Sequence, residues 1–301
     1  MRMGPWVDFG PLVAATLAEA RSRIAALPAA RAPRAVTLLR VGEALSPAQV
    51  SAYRYAERVA EQVGVQWRSK VLAKDASPGE VLAAIRTLNH DGDVVGIVAS
   101  RPMESQAKDA WWGPYGPIEL KRLHRAVNPL KDVEGLHPLS LGNVLYKSQS
   151  SVVPCTARAA LELAVVARGP DLRGLEALVI GGGDVVAKPL FAMLQAKGAT
   201  VTAAPPDAPK LPLYTRAADA VFSCVGLPGF EITADMLRPG ALLLDLGLKR
   251  VGDILSGDVK LDGDESVLSV VSSIATVPRG IAKLRTALLF LNVAAAAESL
   301  K

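Results

Sequence analysis

The chain has 301 residues, enough for two domains of ordinary size, each with its own core. Half of the residues are apolar, yet the longest clean apolar stretch, Thr286 to Ala297, falls short of the roughly 20 residues that span a bilayer; with no apolar leader in Met1 to Gly10, a soluble, cytoplasmic protein without a membrane partner is expected. The net charge of +5 is scattered with no basic stretch interleaved with aromatics, and Cys155 and Cys224 lack metal-ligand spacing, so neither a nucleic-acid partner nor a metal is expected.

The first half alternates strand and helix. Ala35 to Leu39 reads as a strand. Ser46-Pro47-Ala48-Gln49 then has Ser as N-cap, Pro at the first helical position and Gln where a capping box wants it, opening a helix to about Val63 that stops at Gly64. A second strand lies near Trp67 to Leu72. Ser77-Pro78-Gly79-Glu80 opens another helix, with Val81, Leu82, Ile85 and Leu88 at helical spacing. Val94 to Ala99 is a third strand. Strands alternating with helices in this way imply a parallel sheet, hence an α/β fold. Met103 to Pro117 reads as a loop carrying Trp111, Trp112 and Tyr115.

A long helix, roughly Thr156 to Arg168, leads into the buried strand Leu175 to Ile180 and three glycines, Gly181-Gly182-Gly183, before Asp184-Val185 and a helix from Val185 to Ala196. A strand, a glycine turn and a helix in that order make a dinucleotide-binding βα unit, in which backbone N–H groups at the helix start can hold a pyrophosphate. Strands follow at Ala199 to Ala203, Ala220 to Val225 and Ala241 to Leu246. A last apolar helix, about Leu284 to Leu300, is expected to pack back on the first domain.

Several segments, in order, resemble the methylenetetrahydrofolate dehydrogenase/methenyltetrahydrofolate cyclohydrolase family. They are Lys131-Asp132-Val133-Glu134-Gly135-Leu136-His137-Pro138, Pro154-Cys155-Thr156, Val225-Gly226-Leu227-Pro228-Gly229-Phe230, Asp245-Leu246-Gly247 and Gly257-Asp258-Val259. The resemblance runs from Val41-Gly42 to Asn292. It implies an N-terminal α/β folate-type domain, 1–153 with 281–301, and a Rossmann NAD(P)-binding domain, 154–280. It also implies a homodimer, a tetrahydrofolate-type substrate and NADP or NAD as cofactor. The family oxidises methylene- to methenyl-tetrahydrofolate; a water then opens the methenyl bridge, assisted by a lysine and a tyrosine of the first domain. By the same resemblance Glu134, Pro278 and Gly280 fall at substrate positions. Gly181, Gly182, Gly183, Asp184, Val185, Val225 and Gly226 fall at cofactor positions.

The chain also departs from the family's pattern. Counting back from Gly64, the tyrosine and lysine positions read Ala52 and Ala56, with Tyr53 and Tyr55 beside them, and no lysine occurs between Ala35 and Arg68. Arg54 and Arg58 cannot replace it, because guanidinium stays protonated. Ser100 stands where the family has a glutamine, and Glu134 replaces an aspartate with a carboxylate one methylene longer. The family's arginine and serine after the first glycine are Gly182 and Gly183. The glycine-rich loop near the C-terminus reads Val277-Pro278-Arg279-Gly280-Ile281-Ala282. Three readings remain open: a dehydrogenase that has lost the cyclohydrolase step, a non-catalytic homologue that binds ligands or a partner, and an enzyme of the same fold turned to another anionic substrate through Arg101, Arg279, Lys283 and Arg285.

Overall fold

The computed structural model describes residues 5–28, 35–41, 47–73, 75–99, 120–146, 152–251, 254–259, 261, 266–277 and 280–300. The chain forms two compact units. One comprises residues 12–155 and 286–301, the other residues 1–11 and 156–285.

The first unit contains most of helix α1 (Gly10–Ala25), a three-stranded sheet and most of the C-terminal helix. Strands β1 (Ala35–Val41), β2 (Gln66–Leu72) and β3 (Val94–Ala99) are all parallel in the order β2-β1-β3. Parallel neighbours need crossovers, and helices α2 (Pro47–Val63) and α3 (Pro78–His90) supply them. The start of α3 is set by its capping box. Ser77 Oγ accepts from the Glu80 N–H at 3.3 Å while the Glu80 carboxylate accepts from the Ser77 N–H at 2.7 Å. The Glu80 carboxylate, accepting from the Ser77 hydroxyl and from the Ser77 N–H, is held below its usual range. Leu39, Val81, Ile85, Leu88 and Ile97 form the core between α3 and the sheet, joined by Leu123 of helix α4 (Leu120–Ala126). Asn89 ties α3 to α4 by donating to the Ala126 carbonyl and accepting from the Asn128 N–H.

Helix α5 (Pro138–Leu145) and then α6 (Cys155–Arg168) follow. The second unit is doubly wound around β4 (Glu176–Ile180), β5 (Thr200–Ala204), β6 (Ala220–Ser223), β7 (Leu242–Asp245) and β10 (Ser273–Thr276). The sheet is parallel throughout, in the order β10-β7-β6-β4-β5. Its central strands are buried on both faces, so they read as continuous apolar runs such as Leu242-Leu243-Leu244. Helices α7 (Ala187–Ala196) and α8 (Leu211–Ala217), a two-stranded hairpin of β8 (Lys249–Val251) and β9 (Ile254–Ser256), and α9 (Ser266–Val270) complete it. Residues near the N-terminus join the edge of this sheet: Trp6 bridges Ile274, and the Val7 N–H donates to the Ile274 carbonyl at 2.9 Å.

The C-terminal helix α10 (Ile281–Ser299) packs, from Thr286 onward, within the first unit, as expected for the last helix. Phe290 stacks at a tilt on Trp67, and Arg23 of α1 forms a two-pronged ion pair with Glu298. The α/β, two-domain reading therefore holds, with a Rossmann-like second unit. The helix after the glycine turn begins at Ala187 rather than Val185, because residues 184–186 form a turn first.

Candidate functional site

In an open α/β sheet, ligands bind outside the carboxyl ends of the strands where the strand order reverses. In chain order β4, β5, β6, β7 and β10 are first to fifth, so the sheet runs 2-1-3-4-5 and reverses between β4 and β6. The turns leaving those two strands carry Gly181–Val185 and Val225–Gly226, seven of the residues singled out in the sequence.

The two turns touch. The Cys224 N–H donates to the Ile180 carbonyl at 2.9 Å, and Gly181 has a φ of +115°. A Cβ on Gly181 would lie 2.8 Å from the Cys224 carbonyl oxygen, so only glycine fits there. Gly182 and Gly183 differ: neither has a positive φ, and nothing lies within 4 Å of a Cβ built on either. The fold does not require these two glycines, and their lack of side chains leaves space above the backbone at the mouth of the switch point. Asp184 pairs with Lys188 one turn later. Val186 caps α7 without a side-chain hydrogen bond.

Behind Val225 and Gly226 lie two buried aspartates whose roles are not legible in the sequence. Asp258 is completely buried and accepts three hydrogen bonds: from Ser223 Oγ at 2.6 Å, the Val225 N–H at 3.0 Å and the Gly226 N–H at 2.8 Å. Asp245, 1% exposed, accepts from the N–H groups of Gly247, Asp258 and Val259 at 3.1, 3.0 and 2.9 Å. The Asp-Leu-Gly and Gly-Asp-Val segments thus form one interlocked turn pair. Burial pushes the Asp245 carboxyl up to about 7, with the Asp258 charge adding to it and the three N–H donors opposing. Burial and the two aspartates also drive the Cys224 thiol far up, so it stays protonated.

In the first unit, the loop from Lys131 to His137 holds Glu134. The Lys131 ammonium, itself buried, donates to the carbonyls of Leu88 and Asp91 at the C-terminal end of α3, at 3.0 and 2.7 Å. Burial lowers its pKa. Asp132 accepts from the N–H groups of Gly135, Leu136 and His137 and from Ser140 Oγ, at 2.8–3.1 Å. Burial raises the Asp132 carboxyl despite these donors. Gly135 has a φ of +74°, and its Cβ would fall 2.3 Å from the Val153 carbonyl carbon. The Cys155 N–H donates to the Glu134 carbonyl, and Asn292 Nδ2 of α10 donates to the carbonyls of Val133 and Val153. Glu134 is 7% exposed at the centre of this brace.

Ala56 of α2 is 6% exposed, on the buried side of a helix that packs on β2, while Ala52 is exposed. Tyr53 and Tyr55 are half-buried, and burial raises the Tyr55 hydroxyl, with Arg58 pulling it the other way. Ser100 and Pro278 lie outside the described residues, as do Arg101, Arg279, Trp111 and Trp112. Gly280 is buried in the second unit, where a Cβ would meet the Phe9 ring at 2.4 Å; packing accounts for that glycine. Among the described residues no cluster of three His, Cys, Asp or Glu side chains suits a metal ion, and no helix is long and apolar enough to cross a membrane.

Comparison with known proteins agrees with this layout. Residues 154–301 match the model of the tetrahydrofolate dehydrogenase/cyclohydrolase NAD(P)-binding domain. The chain is 35% identical over 288 residues to a bifunctional FolD protein of Mesorhizobium japonicum, covering 94% of this chain and 88% of that one. Among solved structures it is similar to the bifunctional dehydrogenase/cyclohydrolase FolD of Campylobacter jejuni, at 28% identity and a TM-score of 0.81 over 98% of both chains. It is also similar to a 5,10-methylenetetrahydrofolate dehydrogenase of the silkworm Bombyx mori, at 29% identity and a TM-score of 0.79 over 99% of both.

Proposed function

We infer the activity from one premise: the chain belongs to the tetrahydrofolate dehydrogenase/cyclohydrolase family. The reading is a dehydrogenase that oxidises 5,10-methylenetetrahydrofolate with NAD or NADP and has lost the cyclohydrolase step. A homodimer is part of the same reading. Ala56 carries it, because the buried methyl at the family's lysine position offers no proton carrier.

The two half-reactions ask different things of the protein. Oxidation of the methylene bridge removes a hydride and no proton, so the chain need only hold two ligands in register. Opening the methenyl bridge with water requires a proton to leave that water, and a positioned base contributes about 10²–10⁴-fold to such a step. Losing the base therefore slows the second step by about that factor and spares the first.

The second unit fits a dinucleotide on its own geometry. Gly181 must be glycine for the two turns to close, and the open space over Gly182 and Gly183 lets a pyrophosphate approach the backbone at the start of α7. Val225 and Gly226 would form the facing wall. When bound, the nicotinamide supplies the hydride acceptor. Glu134, held by its braced loop, is assigned to the pterin ring.

The test is an assay with 5,10-methylenetetrahydrofolate and either nucleotide, following reduced nucleotide and methenyl product together. Methenyl-tetrahydrofolate is expected to accumulate in step with reduced nucleotide and to decay no faster than in buffer. Rapid conversion to the formyl product would refute the loss of the second step. No reduced nucleotide with either cofactor would refute the dehydrogenase itself and leave the non-catalytic homologue.

A further inference from the structure

We propose that this site selects NAD over NADP, a preference that presupposes the dinucleotide reading above. In doubly wound nucleotide sites the adenosine ribose lies over the end of the second strand. There an acid takes the 2′-hydroxyl of NAD, or an arginine takes the 2′-phosphate of NADP. The second strand here is β5. Its last residue, Ala204, pairs with Ile180, and its carbonyl accepts the Gly181 N–H at 2.9 Å. The turn after β4 and the turn after β5 therefore begin side by side.

Neither turn offers what a phosphate dianion needs. Residues 181–187 and 200–209 contain no lysine or arginine. Lys188 is paired with Asp184, and Lys210 lies at the head of α8. Backbone donors are scarce as well. The strand end continues as Pro205-Pro206, two residues without an N–H, and the next N–H after Asp207, that of Ala208, is bonded to the Pro205 carbonyl. Gly182 and Gly183 add no side chains. The formal charges left in the two turns are the carboxylate of Asp184, which is offset by Lys188, the carboxylate of exposed Asp207 and, at the far end of the second turn, the ammonium of exposed Lys210. A 2′-phosphate dianion would give up water for two turns with no net positive charge, whereas a 2′-hydroxyl is neutral and can donate to the Asp207 carboxylate. The sequence alone shows the missing charges; the pairing of Ala204 with Ile180 brings the prolines and the open glycines to one place.

Calorimetric titration of the whole protein with NAD and with NADP, without folate, tests this. NAD is expected to bind at least tenfold more tightly. Gly182→Arg tests the location, since its backbone has no positive φ and the added side chain enters open space. That change is expected to move the ratio of affinities at least tenfold toward NADP. Equal or tighter binding of NADP by the unmodified protein overturns the preference while leaving the dinucleotide reading intact. A ratio unmoved by Gly182→Arg overturns its assignment to these two turns. Binding of neither nucleotide overturns the preference and the dinucleotide reading together.

Discussion

Asp245 and Asp258 are buried in each other's turns. The Asp258 N–H donates to Asp245 Oδ1 at 3.0 Å, and a Cβ on Gly257, the residue before Asp258, would fall 2.0 Å from Asp245 Oδ2. The arrangement is reciprocal, because a Cβ on Gly247, two residues beyond Asp245, would fall 2.0 Å from Asp258 Oδ2. Each carboxylate occupies the space a side chain on the other's turn would need. Asp258 then hands this rigidity to the Val225–Gly226 turn through its three remaining hydrogen bonds.

Adding one methyl should break this lock. Gly247→Ala and Gly257→Ala are each expected to cost about 3 kcal/mol or more, since the buried carboxylates have nowhere to retreat. Gly182→Ala, in open space, should change stability by less than about 1 kcal/mol. Urea unfolding of the three variants checks the contrast, and equal losses would refute it.

The stability of the protein should carry a pH signature from Asp245. Its carboxyl titrates near 7 in the folded protein against 3.8 ordinarily, so between those values the folded state holds a proton that the unfolded chain has released. This group's contribution to stability therefore falls as pH rises through about 4 to 7 and levels off above. The size is on the order of a few kcal/mol. Asp245→Asn weakens the fold overall by turning an amide NH₂ toward donors, but it should flatten the dependence of unfolding free energy on pH between 5 and 7.5. An unchanged slope would show that the proton is bound elsewhere.

The Glu134 brace should depend on Asp132 more than on any other side chain in the loop. Asp132→Ala strands three N–H groups and the Ser140 hydroxyl, and is expected to cost about 2–4 kcal/mol in urea unfolding. If Glu134 meets the pterin, the KM for methylenetetrahydrofolate should rise in this variant while the affinity for nucleotide changes little. A rise in both alike would refute the local role.

Restoring the lysine should not restore the second reaction. Ala56 is buried, so Ala56→Lys forces an ammonium into the packing of α2 and is expected to lower stability by about 2 kcal/mol or more. Ser100 and the altered family segment Val277 to Ala282 would remain as they are. Formation of the formyl product by this single variant would show that those other departures matter little.

The regular elements were legible because their signals are local. Ser77-Pro78-Gly79-Glu80 announces α3 through a capping box that needs only four residues, and Val94 to Ala99 announces a buried strand by composition. The site was legible in its parts: Gly181 to Gly183 and Val225-Gly226 could be picked out as turns, but their apposition depends on strand order. The roles of Asp245 and Asp258 could not be read at all, since their meaning lies in hydrogen bonds across 13 residues of hairpin. The same holds for Gly280, whose reason is the Phe9 ring far away in the chain, and for helix α1, whose sequence carries only a weak apolar pattern.

The bridge between Trp6 and Ile274 bears on how the molecule is made. Residues near the N-terminus leave the ribosome long before the strand they pair with, and the whole first unit up to Cys155 is synthesised in between. Their pairing with β10 can form only once that strand has been made, so this edge of the nucleotide-type unit closes after the strands that precede β10 in the chain. An N-terminal fusion would load that late closure, whereas the same fusion on a permuted chain opening at residue 12 would not.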